Sequence, residues 1–129
     1  MITEDIYNYL AADDTLGAAL CASETDSKIY PNFAAITSRT PYIVYRSSNP
    51  GGSYDEVLCE EHLTFVITCE NFAQTAAISK ILTVLLDLTE EQIPSQNYKI
   101  YYAKKIGGSD FIDELGRHSR AVNFIFKFK

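Results

Sequence analysis

The sequence of this 129-residue chain predicts an α+β fold, in which a long helix and an N-terminal helix pack on one face of a mostly antiparallel sheet of four or five strands. The C-terminal residues alternate between apolar and polar, whereas apolar residues between positions 73 and 88 recur at helical spacing. The predicted order is helix, two or three strands, long helix, two strands, which is typical of helices packed against an antiparallel sheet. The length suits a single domain over residues 1–129.

The N-terminal segment is predicted to be helical. Thr3 can cap the helix, and two acids follow in the first turn, where the helix dipole favours anions. An apolar stripe then recurs at helical spacing at Ile6, Tyr9 and Leu10. Asp13 or Asp14 can cap a second short helical stretch that runs through Leu20.

Strand signals follow this helical region. Ile29–Pro31 is a short extended piece, because the residue before a proline is disfavoured in a helix. The continuous apolar run Tyr42–Tyr45 is typical of a strand covered on both faces. A turn signal at 49–52 precedes a strand with one apolar face, formed by Leu63, Phe65, Ile67 and Cys69, and Val66 is the exception on its polar face.

The long helix is predicted to begin after Asn71 as its cap. Its core-facing stripe is expected to contain Ala73, Ala76, Ala77, Ile81, Val84, Leu85 and Leu88. Alternation resumes at Tyr98, and Gly107–Gly108 is expected to end that strand, with Asp110 capping the following turn. The last strand presents Val122, Phe124, Phe126 and Phe128 on one face, and only Ile125 interrupts its polar face.

Charge and composition exclude several classes of protein. The net charge of −6 argues against general affinity for nucleic acid, which needs cationic surface. The sequence contains no apolar run of transmembrane length and no signal-peptide pattern at its start. Three cysteines form an odd, widely spaced set, typical of reduced thiols in a cytoplasmic protein. The first 26 residues contain six acids and no Lys or Arg, whereas residues 117–129 contain no acid.

The candidate chemical sites each have a simpler interpretation. Four side chains could form a Cys₂His₂ zinc set: Cys59, His62, Cys69 and His118. Alternation places His62 and Cys69 on opposite faces of the strand, so the strand would have to bulge to bring them together. Asp110, Asp113 and Glu114 are carboxylates of the kind that Ca²⁺ or Mg²⁺ prefers, but they lack the spacing of an EF-hand. We therefore assign no catalytic residue, no cofactor and no metal ligand.

Three segments carry a resemblance to a known family. They are Lys28–Pro31 after the acidic N-terminal helix, Thr40–Tyr45, and Asp110–Arg120 leading into the final strand. In this order and spacing over the whole chain, they resemble the tail-terminator, or tail-completion, proteins of long-tailed bacteriophages and prophages, a family of head–tail joining components.

This resemblance implies a structural role. Members of the family are small α/β subunits that form a ring, commonly a hexamer, on the head-proximal end of the tail tube. The ring ends tube growth and presents the surface that joins the head, so the implied partners are the tail-tube protein and the head-completion protein. DNA would pass through without specific binding. The implied location is the host bacterial cytoplasm during assembly and then the virion tail, with no membrane involved.

The expected contact residues follow from charge and position. A heterologous ring interface could join the acidic N-terminal region to a basic patch. The candidate interface residues are Asn49, Tyr54, Arg117 and Arg120. A cationic bore would retain DNA by its phosphates, so the lumen is expected to be acidic or neutral. The candidate lining acids are Asp55, Glu56, Glu60 and Glu61.

Two other classes of function remain open from the sequence. One is a small ligand-binding or regulatory α+β domain that holds an apolar molecule between helix and sheet. The other is a small hydrolase that uses Cys or His, although the sequence shows no patterned triad. We expect that the protein is not an enzyme.

Overall fold

The computed structural model describes residues 2–23, 26–32, 39–47, 53–54, 59–87 and 99–128. Within these ranges the helices are α1 (Ile2–Ala11), α2 (Asp14–Ala19) and α3 (Phe72–Leu86). The strands are β1 (Ile29–Pro31), β2 (Tyr42–Ser47), β3 (Ser53–Tyr54), β4 (Cys59–Cys69), β5 (Ile100–Ile112) and β6 (His118–Phe128). The predicted α+β class is confirmed. None of the helices in the described part of the chain has the length and hydropathy needed to cross a membrane.

The strands form one mixed sheet in the order β1-β2-β4-β6-β5, and β3 pairs with the start of β4. β1 and β2 run parallel, whereas β2 with β4, β4 with β6, and β6 with β5 are antiparallel. The mostly antiparallel sheet was therefore expected correctly, and β1 adds a parallel edge. β4 and β6 lie at its centre and pair along eleven residues each.

The core lies between the helices and one face of the sheet. We call this face the helix face; on β4 it carries Leu63, Phe65, Ile67 and Cys69, each with an exposed fraction of 0%. Across the register, Leu63 faces Phe124 and Phe65 faces Val122. The helices complete the same cluster with Ile6, Leu10, Leu16, Leu20, Ile78, Leu82 and Leu86. We call the opposite face, which these helices do not cover, the open face.

The helix caps agree with the sequence at two of three predicted positions. The Asp13 carboxylate accepts a hydrogen bond from the backbone N–H of Leu16 at 2.8 Å and caps α2. The Asn71 side chain accepts one from the N–H of Gln74 at 2.9 Å and caps α3. Thr3 does not cap α1, because this helix already begins at Ile2.

The face of α3 that contacts the sheet differs from the predicted one. The buried positions are Thr75, Ile78, Ser79, Leu82 and Leu86. Four residues of the predicted stripe are exposed instead: Ala73, Ala76, Ala77 and Val84. Ile81 and Leu85 are half-buried, and Leu88 lies outside the described residues. The helix is apolar on nearly every side, so periodicity alone cannot select which side the sheet covers.

β5 continues through the glycine pair that was expected to end it. The register with β6 shifts between Lys105 and Gly107, which is a β-bulge, and pairing then continues to Ile112. Gly107 has φ +154°, and a Cβ at Gly108 would lie 2.3 Å from the carbonyl oxygen of Ala121. Only glycine permits this close approach of the two strands. Asp110 consequently lies within the strand rather than capping a turn.

The deep burial of Phe126 predicts a large stability loss on truncation. Its exposed fraction is 0%, so Phe126→Ala should lower the free energy of unfolding by about 3–5 kcal/mol in urea titration. Phe111→Ala is the matched control, because the Phe111 side chain on β5 is 43% exposed and its loss should cost less than about 1 kcal/mol. Equal losses in the two variants would contradict the assigned core.

Candidate functional site

The turn between β5 and β6 is organised around Asp113. Its carboxylate accepts hydrogen bonds from the backbone N–H groups of Leu115 and Arg117 at 3.0 and 2.8 Å, and from Arg117 Nε at 2.8 Å. Burial acts to raise the pKa of Asp113, but the hydrogen bonds from Arg117 outweigh it and hold the pKa below its usual value. The Arg117 guanidinium also lies over the Tyr42 ring, 5.4 Å from its centroid.

Arg120 forms a two-point contact with Asp110 on the neighbouring strand. Its Nε and terminal nitrogen donate to the two carboxylate oxygens at 2.5 and 3.1 Å. These hydrogen bonds lower the pKa of Asp110. Both arginines expected at a subunit interface are therefore paired within their own chain, so any net positive charge offered to a neighbour must come from other residues.

The two adjacent acids at the start of β4 lie on opposite faces of the sheet. Glu60 is half-exposed on the open face, opposite Lys127, with its carboxylate 3.6 Å from His62 Nε2. Glu61 lies on the helix face opposite Phe126, with an exposed fraction of 6%. Burial raises the pKa of the Glu61 carboxyl. Because the Glu61 carboxyl is buried within the subunit, it does not reach a solvent-filled lumen. Glu61 is therefore not among the acids that we propose to line the lumen.

The remaining predicted site residues lie in or beside gaps in the described chain. Asn49, Asp55 and Glu56 are outside the described residues. Tyr54 is placed by its backbone, which pairs with Cys59 in the short β3–β4 ladder.

A cysteine and a histidine lie directly opposite each other on the helix face. They are Cys69 on β4 and His118 on β6, and the His118 ring packs on Phe72 with centroids 4.1 Å apart. His118 Nδ1 is buried and has no hydrogen-bond partner among the described residues. Burial raises the pKa of the fully buried Cys69 thiol to about 11, and the charge of Glu70 adds to this effect. A protonated, inaccessible thiol is a poor nucleophile, so the pair gives no support to a hydrolase.

The geometry also bears on metal and ligand binding. His62 and Cys69 remain on opposite faces of β4, so the strand does not bulge in the way a zinc site would require. Within the described ranges, no three His, Cys, Asp or Glu side chains are grouped to hold a metal ion. A depression of about 190 Å³ lies on the β5–β6 hairpin and is lined by polar or small residues, Lys105, Gly108, Ser109, Asp110 and Arg120. Its position and polarity do not match the apolar pocket expected between helix and sheet.

The open face is the surface that sequence analysis missed. Three of its apolar residues, Val44, Val66 and Ile125, are half-exposed, whereas Tyr42 at one end is buried, with Arg117 over its ring. Tyr42 and Ile43 are buried on opposite faces, whereas Val44 and Tyr45 are half-exposed, so the expectation that the run Tyr42–Tyr45 is covered on both faces holds only at its first two residues. Val66 and Ile125 are the two residues that broke the polar alternation of β4 and β6, and those exceptions were the available signal.

Hydrogen bonds between paired residues make the open face a defined surface. The Thr64 hydroxyl donates to Asn123 Oδ1 at 2.7 Å, and the Thr68 and Ser119 hydroxyls lie 3.1 Å apart. Each pair joins directly opposite positions of β4 and β6. The Thr68–Ser119 pair is buried at one end of this face, whereas Thr64 and Asn123 are half-exposed, and both contacts satisfy polar groups within the sheet.

Comparison with known proteins identifies a shared fold. No family model and no curated protein matches the sequence. Among solved structures, a chain from the virion of a native gene transfer agent particle is similar, with a TM-score of 0.65 over 95% of this chain and 89% of that chain. The two sequences are 13% identical, so the similarity shows the fold alone.

The buried Glu61 carboxyl predicts a pH-dependent stability difference. Because its pKa is raised in the folded state, protonation favours folding, and this contribution is lost as pH rises from the ordinary carboxyl value of about 4.3 through the raised value. Glu61→Gln should therefore be more stable than wild type at pH 7, and the difference should shrink toward pH 4. Urea unfolding at both pH values measures it.

Glu60→Gln is the matched control, since it makes the same change one residue away on the open face. Its effect on the free energy of unfolding should stay within about 0.5 kcal/mol. A Glu61→Gln variant that is less stable than wild type at pH 7 would show that the ionised carboxylate stabilises the fold.

The thiols should differ in reactivity in the native state. Cys21 is exposed, whereas Cys69 is buried with a thiol pKa of about 11, so about one Cys69 thiol in a thousand is ionised at pH 8. Iodoacetamide should modify Cys21 in native protein and Cys69 only after denaturation, as read by peptide mass spectrometry. Comparable native rates at the two sites would contradict this packing of β4.

Proposed function

We propose that this protein is a structural subunit of a phage-like particle and acts as its tail terminator. The observation that supports this most strongly is the agreement of two similarities. The sequence resembles tail-terminator proteins along its whole length, and its fold matches a chain of a gene transfer agent virion over 95% of its residues. Both similarities point to a phage-like particle, and the finer role of tail terminator rests on the sequence resemblance.

The geometry supports a role in contact rather than catalysis. The ionic groups near the β5–β6 turn are paired with each other, and the Cys69 thiol is buried and protonated. The half-exposed apolar residues of the open face are suited to burial against another protein. The proposal therefore includes no catalytic residue, cofactor or metal.

In the proposed assembly, identical subunits form a ring, a hexamer by family resemblance, on the head-proximal end of the tail tube. The ring ends tube growth and offers its other surface to the head-completion protein. Asp55, Glu56 and Glu60, which lies at the edge of the open face near the start of β4, are proposed for the lumen, and Asn49, Tyr54, Arg117 and Arg120 for subunit contacts. The subunit would assemble in the bacterial cytoplasm and remain in the virion tail.

Removing the gene should disturb tail length. In cells that produce the particle, loss of this chain should give tails that are longer than normal, variable in length and not joined to heads, as measured by negative-stain electron microscopy. Expression of the wild-type chain from a plasmid is the control and should restore uniform tails. Normal, head-joined tails in the deletion strain would rule out the proposed function.

A purified ring should also fail to retain duplex DNA at physiological salt, because an acidic or neutral lumen does not neutralise phosphates. Gel-shift or filter binding measures this retention. Tight, salt-sensitive binding of duplex DNA would contradict the proposed acidic or neutral lumen. The gene-deletion experiment on tail length would still decide the proposed function.

A further inference from the structure

The three helices do not cover the open face, and within the described ranges its buried residues lie at one end, where Arg117 lies over Tyr42 and where Thr68 and Ser119 are paired. The buried apolar residues of α1, α2 and α3 all belong to the cluster on the helix face. On the open face, Val44, Val66 and Ile125 remain half-exposed near the middle of the sheet. Apolar residues grouped on a flat, uncovered face are typical of surfaces that pack against another protein.

The open face and the helical layer have opposite charge. On the open face, Arg46, Lys104 and Lys127 outnumber the single acid Glu60 among the described residues. On the helical side, the charged residues of α1, of α2 and of the α2 N-cap are all acids. They are Glu4, Asp5, Asp13 and Asp14. Each surface therefore complements the other and repels itself, which favours contact between unlike surfaces of two copies.

The outward side of the helical layer is also apolar. Val84 on α3 is 70% exposed, and Phe72 at the start of the same helix is 47% exposed. A helix that is apolar on both sides is usually buried on both sides. Lys80 is the one charged residue that interrupts this outward side of α3 within the described chain.

We propose that the open face of one subunit packs against the helical layer of the next copy of this chain, and that this contact forms the ring. The inference rests on the proposed ring function and names its interface. Two different surfaces of the same chain meet, so the contact is heterologous and repeats around a closed circle when the rotation between subunits fits. The middle of the open face then becomes the covered inner layer of a helix–sheet–helix arrangement, and Glu60, near the start of β4, remains at its edge toward the lumen.

The open face is large enough for this role. β4 and β6 span about 36 Å, β5 is slightly longer and β2 spans only about 20 Å, and these four strands extend about 14 Å between the outer axes. With side chains, the face covers roughly 600–700 Å², near the ~800 Å² that each partner contributes to a standard interface. Charge would set orientation, and the apolar residues would supply most of the affinity.

Two neighbouring lysines provide a matched test. Lys104 lies opposite Ile125 on the open face, and Lys105 lies opposite Phe124 on the other face; both are exposed. Lys104→Glu should weaken subunit association about tenfold, whereas Lys105→Glu, with the same change in net charge, should weaken it less than twofold. Sedimentation velocity and native mass spectrometry over a concentration series measure this, with circular dichroism confirming that each variant folds.

A reciprocal variant tests the identity of the partner surface. Asp14→Lys on α2 should weaken association by itself, and the double variant Lys104→Glu with Asp14→Lys should recover to within about threefold of wild type. Recovery requires that the two surfaces meet in the assembly, since a loss caused by unfolding would not be reversed by a second charge change.

Several results would overturn this interface. The first is an equal effect of Lys104→Glu and Lys105→Glu on association. The second is that the losses of affinity add in the double variant. The third is a wild-type chain that stays monomeric at millimolar concentration. The wild-type chain could bind duplex DNA while Lys104→Glu keeps the oligomer and loses this binding. That result would show that the open face contacts DNA and not a second copy. If gene deletion gives overlong tails while the lysine variants behave alike, the proposed function stands and this interface fails.

Discussion

The pairing of β4 with β6 is the contact on which the rest of this fold depends. The two strands run antiparallel for eleven residues, and their register places Leu63 against Phe124 and Phe65 against Val122. The rings of Phe65 and Phe124 meet edge to face with centroids 5.7 Å apart. A slip of one residue would turn every one of these side chains to the open face, so core burial fixes the register. α3 and the N-terminal helices then have a single apolar surface on which to pack.

The parts of the fold that the sequence predicted are those where one face is strongly apolar. Alternation along β4 and β6 identified the buried residues, because a period of two leaves each residue only one face. α3 carried no such information, since Ala73 and Ile78 are both apolar and only contact with the sheet decides which is buried. The extent of β5 was equally hidden. Gly107 and Gly108 are typical of a strand end, and here they form a bulge whose tight approach to Ala121 requires glycine.

The candidate site was predicted less completely, because charge pairing depends on neighbours that are distant in sequence. Arg120 was expected in a basic patch at a subunit interface, and the β5–β6 register brings it to Asp110, which binds it at two points. Glu61 was grouped with neighbouring acids, although its position has the same parity as Leu63 and therefore the buried face. The burial of Glu61 could be inferred from alternation alone. The contact of Arg120 required the register of two strands across a bulge.

The departures from alternation are where this fold is informative about function. Val66 and Ile125 are apolar residues at strand positions that point away from the core. A solvent-exposed apolar side chain at such a position adds little to the free energy of folding. Both residues occur on the face that the described helices leave uncovered, where the strands carry Arg46, Lys104 and Lys127 against one acid, Glu60. The helices α1 and α2, at the other end of the sequence, carry acids and no basic residue. A monomer gains little from this separation, whereas identical copies that meet head to tail would bury the apolar exceptions and bring the opposite charges together. The same pattern that specifies the sheet thus also leaves half-exposed apolar residues on the face that the described helices do not cover.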